Sequence, residues 1–264
     1  MTILTIIGFG NIAHSILKNL RSNNQLQITI ISRSISRPVD LTDRYTYIPI
    51  TGDIEAEINH SNIIILAIKP LTAKEVCLQI RDYLTDETII LSLCAGININ
   101  KLHLWLPKVK IVRLMMNILI EKSNGIVSVL SDQRINDTDW EIIKSIFPSL
   151  SLCEVSNDKD IDRDTAVIGC GPAFLTQLID SSVKTITKLG YSEKKSKDLV
   201  INMLKEVIVL YDKEGDNIIT RVASKGGATE HGIRSFRENK GEEIIFAMFD
   251  HALKRITEIS NLIE

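Results

Sequence analysis

An apolar run at the amino terminus, Thr2–Ile7, ends in Gly8-Phe9-Gly10-Asn11-Ile12-Ala13 and leads into a helical pattern to about Ser22. This strand–turn–helix order around a G-x-G-x-x-A pattern constrains the fold more than any other feature. Gly8 permits a tight turn, Gly10 lets the backbone approach an anion, and Ala13 keeps helix and strand close. The helix N-terminus then presents its N–H groups to that anion. The pattern alone is weak, and the flanking strand and helix make it specific. It predicts a pyrophosphate held by Gly8, Phe9, Gly10, Asn11, Ile12 and Ala13. The plain alternative is a turn that serves only packing.

The stretches that follow fit an α/β domain. Strands are expected at Gln27–Ser32, Ile63–Ile68, Thr88–Leu93, Lys110–Leu114, Ile126–Leu130 and Ser151–Val155. Helices are expected at Thr72–Leu84, around Asn100–Leu106, and at Asp137–Phe147, where Pro148 stops the run. Strands separated by helix-length segments imply a parallel sheet covered by helices on both faces. Beyond about Asp160 strand signals vanish. Pro172, after Gly169-Cys170-Gly171, sits where a helix can begin and run to about Leu189. Ser192 can cap the next helix, which runs to about Glu214. A Gly-rich break follows at Lys225-Gly226-Gly227, then a helix over roughly Glu242–Leu262. The expected division is residues 1–158, a Rossmann-type dinucleotide-binding domain, and 159–264, an all-α domain.

The end of the second strand selects the cofactor. NAD-selective sites place an acid there, about 20 residues past the glycines, to hold the ribose hydroxyls. Here the stretch reads Ser32-Arg33-Ser34, with Arg37 beyond and no acid. A hydroxyl and a guanidinium suit a 2′-phosphate, so NADP(H) is expected, with NADPH preferred over NADH. Alternatively, Arg33 is a solvated loop charge.

Composition removes several classes. With 31 basic and 33 acidic residues among 264, the net charge of −2 argues against a general nucleic-acid binder. No uninterrupted apolar run is longer than Ile63–Ile68, far short of the 18 or so residues of a membrane span. Four dispersed cysteines and five scattered histidines form no zinc pattern, and no metal is expected. No targeting segment is visible before the first strand, so reduced thiols and a cytoplasmic location are expected.

Five further motifs carry a resemblance. Leu66-Ala67-Ile68-Lys69-Pro70, the turn Cys94-Ala95-Gly96, Val112-Arg113-Leu114-Met115-Met116-Asn117, Gly169-Cys170-Gly171-Pro172-Ala173-Phe174 and Ser224-Lys225-Gly226-Gly227-Ala228-Thr229 occur in that order. Together with the amino-terminal turn they resemble the LAVKP, AAG, VRxMPN, GSGPA(Y/F) and SPGG(A/T)T segments of pyrroline-5-carboxylate reductases, over essentially the whole chain. The resemblance implies NADPH-dependent reduction of the cyclic imine L-1-pyrroline-5-carboxylate to L-proline. It implies a helical dimerisation domain and a homodimer or a ring of dimers. The active site would combine one subunit's dinucleotide domain with the Gly-Gly helices of the dimer. Ala67, Lys69, Pro70, Ala95 and Gly96 would border the nicotinamide. Thr229 would bond the ring nitrogen as the catalytic hydroxyl. Ser224 and the N–H groups of Gly226, Gly227 and Ala228 would receive the substrate carboxylate, with Asn117 nearby.

That site is chemically coherent. An imine is already electrophilic, so hydride transfer needs positioning more than acid–base machinery. Alternatives attach to individual residues: Thr229 as a helix cap, Gly226-Gly227 as a hinge, Asn117 as a loop-ordering residue. Several positions depart from the family pattern. Met116 replaces a proline, Ile118-Leu119 a Thr-Pro pair, Cys170 a serine and Lys225 a proline. They spare the hydride chemistry more than substrate choice. Two alternatives therefore stand beside proline synthesis: a related imine reductase acting on another cyclic imino acid, and a non-catalytic NADP-binding dimer.

Overall fold

The computed structural model describes residues 2–20, 23, 25–33, 45–122 and 125–263. The chain packs as two compact units. The first comprises residues 1–170 and 252–264, the second residues 171–251.

The first unit is built on an eight-stranded sheet: β1 (Thr2–Ile7), β2 (Leu26–Ser32), β3 (Thr46–Pro49), β4 (Ile63–Leu66), β5 (Ile89–Ser92), β6 (Lys110–Met115), β7 (Ile126–Ser131) and β8 (Ser151–Glu154). The strand order is β3-β2-β1-β4-β5-β6-β7-β8. β4 is the run Ile63-Ile64-Ile65-Leu66, with every side chain buried. Such runs arise where helices cover both faces of a sheet, so alternation disappears. One apolar layer packs α1 (Asn11–Asn19) and α5 (Asp137–Ile146) against the sheet; the other packs α2 (Glu55–His60), α3 (Pro70–Ile80) and α4 (Ile99–Trp105). Trp105 is buried in the second layer and Trp140 packs on the first.

Three expectations need correction here. The sheet is not wholly parallel, because β6 and β7 pair antiparallel. The connection between them is short, and parallel neighbours need a crossover of a dozen residues or more. β3 and α2 were not anticipated; β3 is a four-residue edge strand containing Pro49, which an edge tolerates. α1 ends at Asn19 rather than Ser22.

Beyond β8 the chain enters α6 (Asp158–Asp164), a π-helical turn at Thr165–Gly169, and α7 (Gly171–Lys188). The expected fresh helix start at Pro172 is therefore a continuation. Pro172 has no N–H for the Ile168 carbonyl four residues earlier. The π turn absorbs the mismatch, with the Cys170 N–H donating to the Thr165 carbonyl at 3.2 Å. α6 is fastened to the sheet by charge. Arg113 on β6, only 3% exposed, donates to Asp158 at 2.5 Å and Asp162 at 2.7 Å. Ser128 on β7 donates to Asp164 at 2.5 Å. These ties place residues 159–170 with the sheet, whereas the composition shift suggested a boundary at 158/159. The last turns of α11 (Gly241–Leu262) also return to the first unit, where Ile256 and Ile263 are buried.

The second unit holds α7, α8 (Glu193–Glu214), α9 (Asn217–Val222), α10 (Ala228–Glu238) and most of α11. Ser192 caps α8, accepting from the Lys195 N–H at 3.3 Å. α9 and α10 flank the Gly-rich break and were not anticipated. Most large apolar side chains of this unit are exposed. The continuous stretch Asp158–Lys188 is long and apolar enough to cross a membrane by length and composition alone. Counting uninterrupted apolar runs missed it, because Asp164, Thr165, Gln177 and Asp180 interrupt the run without lowering the mean enough.

Candidate active site

In the first unit, β1 lies between β2 and β4, so chain direction across the sheet reverses beside the Gly8 turn. Ligands of open α/β sheets bind at that switch point, outside the carboxyl ends of the strands. Two backbone bonds seat the turn: Gly8 N–H to the Ile31 carbonyl and Ala67 N–H to the Ile7 carbonyl, each 2.8 Å. Gly8 has φ +100°, and a Cβ there would stand 2.4 Å from the Ala67 carbonyl oxygen. Both the backbone angle and the close approach require glycine. At Gly10 an added Cβ would meet nothing within 4 Å. Gly10 caps α1 without a side-chain hydrogen bond. The first N–H groups of the helix therefore face an unobstructed approach, which fits a pyrophosphate. Ala13 is fully buried against the strand layer.

A cleft of about 390 Å³ opens at this turn. Gly8, Phe9, Gly10, Ser32, Arg33, Ala67 and Lys69 line it. Asn11, Ile12 and Ala13 follow in α1. Arg33 is exposed at the mouth, at the end of β2 where the ribose of a dinucleotide would lie. Ser34 and Arg37 lie outside the described residues. Thr72, Glu75, Val76 and Gln79 of α3 and Ile50 also line the cleft and were missed. Their signal was available in the helical spacing 72, 75/76, 79, which presents one face. Pro70 begins α3, where its missing N–H costs nothing.

Ala95 and Gly96 do not line this cleft. Gly96, at φ +73°, is buried against α11, where an added Cβ would stand 2.8 Å from the Ile256 carbonyl oxygen. Neighbouring Cys94 approaches the carbonyls of Leu66 and Ile68 at 3.8 and 3.7 Å. Burial pushes its thiol up to about 11, against smaller lowering by a Ser92 hydrogen bond. It is a packed thiol at neutral pH, not a nucleophile.

Asn117 is occupied by structure. Its Nδ2 donates to the Ile168 carbonyl at 2.7 Å, the acceptor that Pro172 leaves without a helical partner. Its Oδ1 accepts from the Leu119 N–H at 2.9 Å. Met116 is 4% exposed and fills the sheet core, so this departure from the family pattern is packing. Ile118 and Leu119 are exposed. Cys170 is half-buried, and burial raises its pKa.

In the second unit, Ser224–Thr229 forms the entry to α10. Gly227 is the N-cap residue, and Thr229 is the second residue of the helix, half-buried, so it is not the cap. The Gly227 N–H donates to the Ser224 carbonyl at 2.9 Å. The Gly226 N–H donates to the Glu230 carboxylate. Two of the three N–H groups expected to receive a substrate carboxylate therefore have internal acceptors, and Ala228 is the third. A Cβ at Gly227 would stand 2.4 Å from Ser224 Oγ, so glycine keeps the loop tight. Lys225, Glu230, Arg234 and Arg237 line an adjoining cavity of about 530 Å³. His231 is exposed, its ring Nδ1 2.8 Å from Arg234. Among the described residues no group of three or more His, Cys, Asp or Glu could hold a metal.

Comparison with known proteins bears on both units. Residues 158–259 match the family model described as pyrroline-5-carboxylate reductase dimerisation, and residues 3–96 the model described as NADP oxidoreductase, coenzyme F420-dependent. The chain is 27% identical to pyrroline-5-carboxylate reductase 2 of Bacillus subtilis, over 96% of this chain and 93% of that protein. It is 24% identical to the pyrroline-5-carboxylate reductase of Aquifex aeolicus, over 89% of each. The crystal structure of Plasmodium falciparum pyrroline carboxylate reductase with NADP bound is 25% identical, with a TM-score of 0.85 over 98% of each chain.

Proposed function

The chain belongs to the pyrroline-5-carboxylate reductase family, and on that premise we propose that it reduces L-1-pyrroline-5-carboxylate to L-proline with NADPH. The observation that carries the reading is one chain holding both halves of such a site. The first unit has an open cleft at the β1–α1 turn, and the second an α10 N-terminus bearing Thr229.

NADPH supplies the hydride when bound. Gly8, Gly10 and the first N–H groups of α1 hold its pyrophosphate, and Ser32 and Arg33 receive the 2′-phosphate. Ala67, Lys69 and Pro70 border the nicotinamide side. The Ala228 N–H, with Ser224 beside it, takes the substrate carboxylate; an N-terminal helix turn offers such donors without side-chain obstruction. The Thr229 hydroxyl would bond the ring nitrogen, orient the C=N bond and pass to the nitrogen a proton drawn from solvent. Asn117 acts through the Ile168 carbonyl rather than on substrate. The assembly is a homodimer or a ring of dimers.

A second reading has its own observation. Lys225, Arg234 and Arg237 beside the substrate loop favour a cyclic imine carrying an additional acidic group. NADPH oxidation with pyrroline-5-carboxylate, run beside six-membered piperideine mono- and dicarboxylates, decides between them. Fast turnover on the pyrroline is expected; preference for another imine selects the second reading, and NADPH binding without turnover sinks both. Thr229→Ala should lower kcat by about 100-fold while leaving NADPH affinity unchanged. Unchanged turnover removes Thr229 from the mechanism.

A further inference from the structure

The cleft at the Gly8 turn carries side chains of both charges. Arg33 and Lys69 suit a cofactor with a pyrophosphate and a 2′-phosphate, but Glu75 lines the same cleft. Glu75 lies on α3, where residues 72, 75, 76 and 79 share one helix face. Two of the three polar side chains on that face are already bonded within the protein. The Thr72 hydroxyl donates to the Lys69 carbonyl at 2.9 Å. The Gln79 Nε2 donates to the Ile50 carbonyl at 3.0 Å. Glu75 is exposed, and its carboxylate has no hydrogen-bond or ion-pair partner among the described residues.

The Gln79 bond locates this face in the cleft. Ile50 directly follows β3, and its N–H donates to the Ser32 carbonyl at 3.0 Å. The second half of α3 is therefore tied, through one residue, to the end of β2, where the adenosine half of a dinucleotide lies. Ile50 and Val76 line the cleft beside Glu75 and offer apolar surface to a base. An ionised carboxylate accepts hydrogen bonds and donates none. It is also repelled by phosphate. At the adenosine end of NADPH two kinds of donor remain for it. The ribose 3′-hydroxyl stands next to the 2′-phosphate, whereas the adenine 6-amino group lies on the far side of the base. Repulsion favours the amino group.

We propose that Glu75 recognises the adenine of the cofactor. Its carboxylate accepts a hydrogen bond from the 6-amino group and so selects adenine over a base with a carbonyl oxygen at that position. This rests on the reading that the cleft holds NADPH. Glu75 is then a specificity-determining residue at the end of the cofactor remote from the hydride.

The test compares NADPH with its hypoxanthine analogue, in which a carbonyl oxygen replaces the 6-amino group. Dissociation constants for both are measured by titration calorimetry without substrate. The unaltered protein should bind NADPH about tenfold more tightly than the analogue, the scale of one hydrogen bond to a charged group. Glu75→Gln, whose amide can donate to the carbonyl oxygen, should bring the two constants within about twofold of each other. Glu75→Ala, which removes the acceptor, should do the same. Loss of a negative charge near the phosphates tightens both ligands by a common factor, which cancels in the ratio. A preference that persists in either variant overturns the proposal, as does equal binding of the two ligands by the unaltered protein. An unaltered protein that binds neither ligand overturns the cleft reading, and the proposal with it. Because substrate is absent, failure to reduce pyrroline-5-carboxylate would sink the proposed activity and leave this assignment standing.

Discussion

In the first unit Ile6 and Ile7 of β1 and the isoleucines of β2, β4 and β5 are buried between two layers of helices. In the second, α8 exposes Leu199, Met203, Val207 and Tyr211 at every fourth residue, while only Val200 among its apolar residues is buried. The amino-acid types are similar, but the outcomes differ. A sheet with helices on both faces consumes apolar surface within one chain. Three long helices and two short ones present more apolar stripe than they can cover among themselves. Exposed patches of that size mark interfaces in soluble folds. The stripe lies within residues 158–259, which match a dimerisation family. The apolar helix Asp158–Lys188 belongs to the same matched region.

The contrast can be broken at the stripe first. Met203→Glu combined with Val207→Glu should weaken self-association by at least about 100-fold, as loss of buried interface anchors does. Sedimentation velocity reads this directly, and NADPH binding by the first unit should survive. A dimer of unchanged affinity would show that another face makes the interface.

The first unit is tested at Arg113, its most buried charge among the described residues. Arg113→Met leaves Asp158 and Asp162 without their partner and should cost about 3 kcal/mol, read by denaturant unfolding. A cost below about 1 kcal/mol would mean that apolar packing, not the ion pairs, holds α6 on the sheet. A smaller effect is expected at Arg33. Arg33→Ala should weaken NADPH about tenfold more than NADH, the scale of a lost hydrogen bond to a charged group. Equal weakening of both would remove the 2′-phosphate assignment.

The smallest effect concerns the core thiols. Burial pushes Cys77 up to about 12 and Cys94 to about 11, from an ordinary 9.0. Above pH 9 the unfolded chain loses these protons while the folded one keeps them. Stability is therefore full below pH 9 and declines from there toward pH 11. Melting temperature measured from pH 8 to 10.5 should fall. Cys77→Ala should lower the baseline and flatten the slope; an unaltered slope would show that other groups govern it.

The strand–turn–helix geometry at Gly8 was legible in the sequence alone. Gly8 and Gly10 announced themselves because a tight turn and a close anion approach have few chemical solutions. β1 and β4 were legible for a similar reason: short isoleucine-rich runs between breakers leave little choice. Other features were hidden because their partners are distant in sequence. Asn117 looked like a ligand residue, and only the packing of β6 against the π turn shows it satisfying the carbonyl stranded by Pro172. Met116 looked like a loop departure, and only its burial shows it as core. The short elements β3, α2, α9 and α10 were missed because each is brief or lies among polar residues, where period is hard to read.

What the sequence by itself determined is local: the dinucleotide turn, the cap at Ser192, and the division between strand-bearing and helical halves. These depend on backbone angles, missing N–H groups and short-range periodicity, all of which a residue carries with it. What only the tertiary structure decided is who meets whom. It returned the last turns of α11 to the sheet unit. It set Lys101 on carbonyls 159 and 162 residues away. It assigned the Gly226 N–H to Glu230. Hydrogen-bond donors and apolar faces are interchangeable as types, so their partners are settled only when the whole chain competes for them in three dimensions.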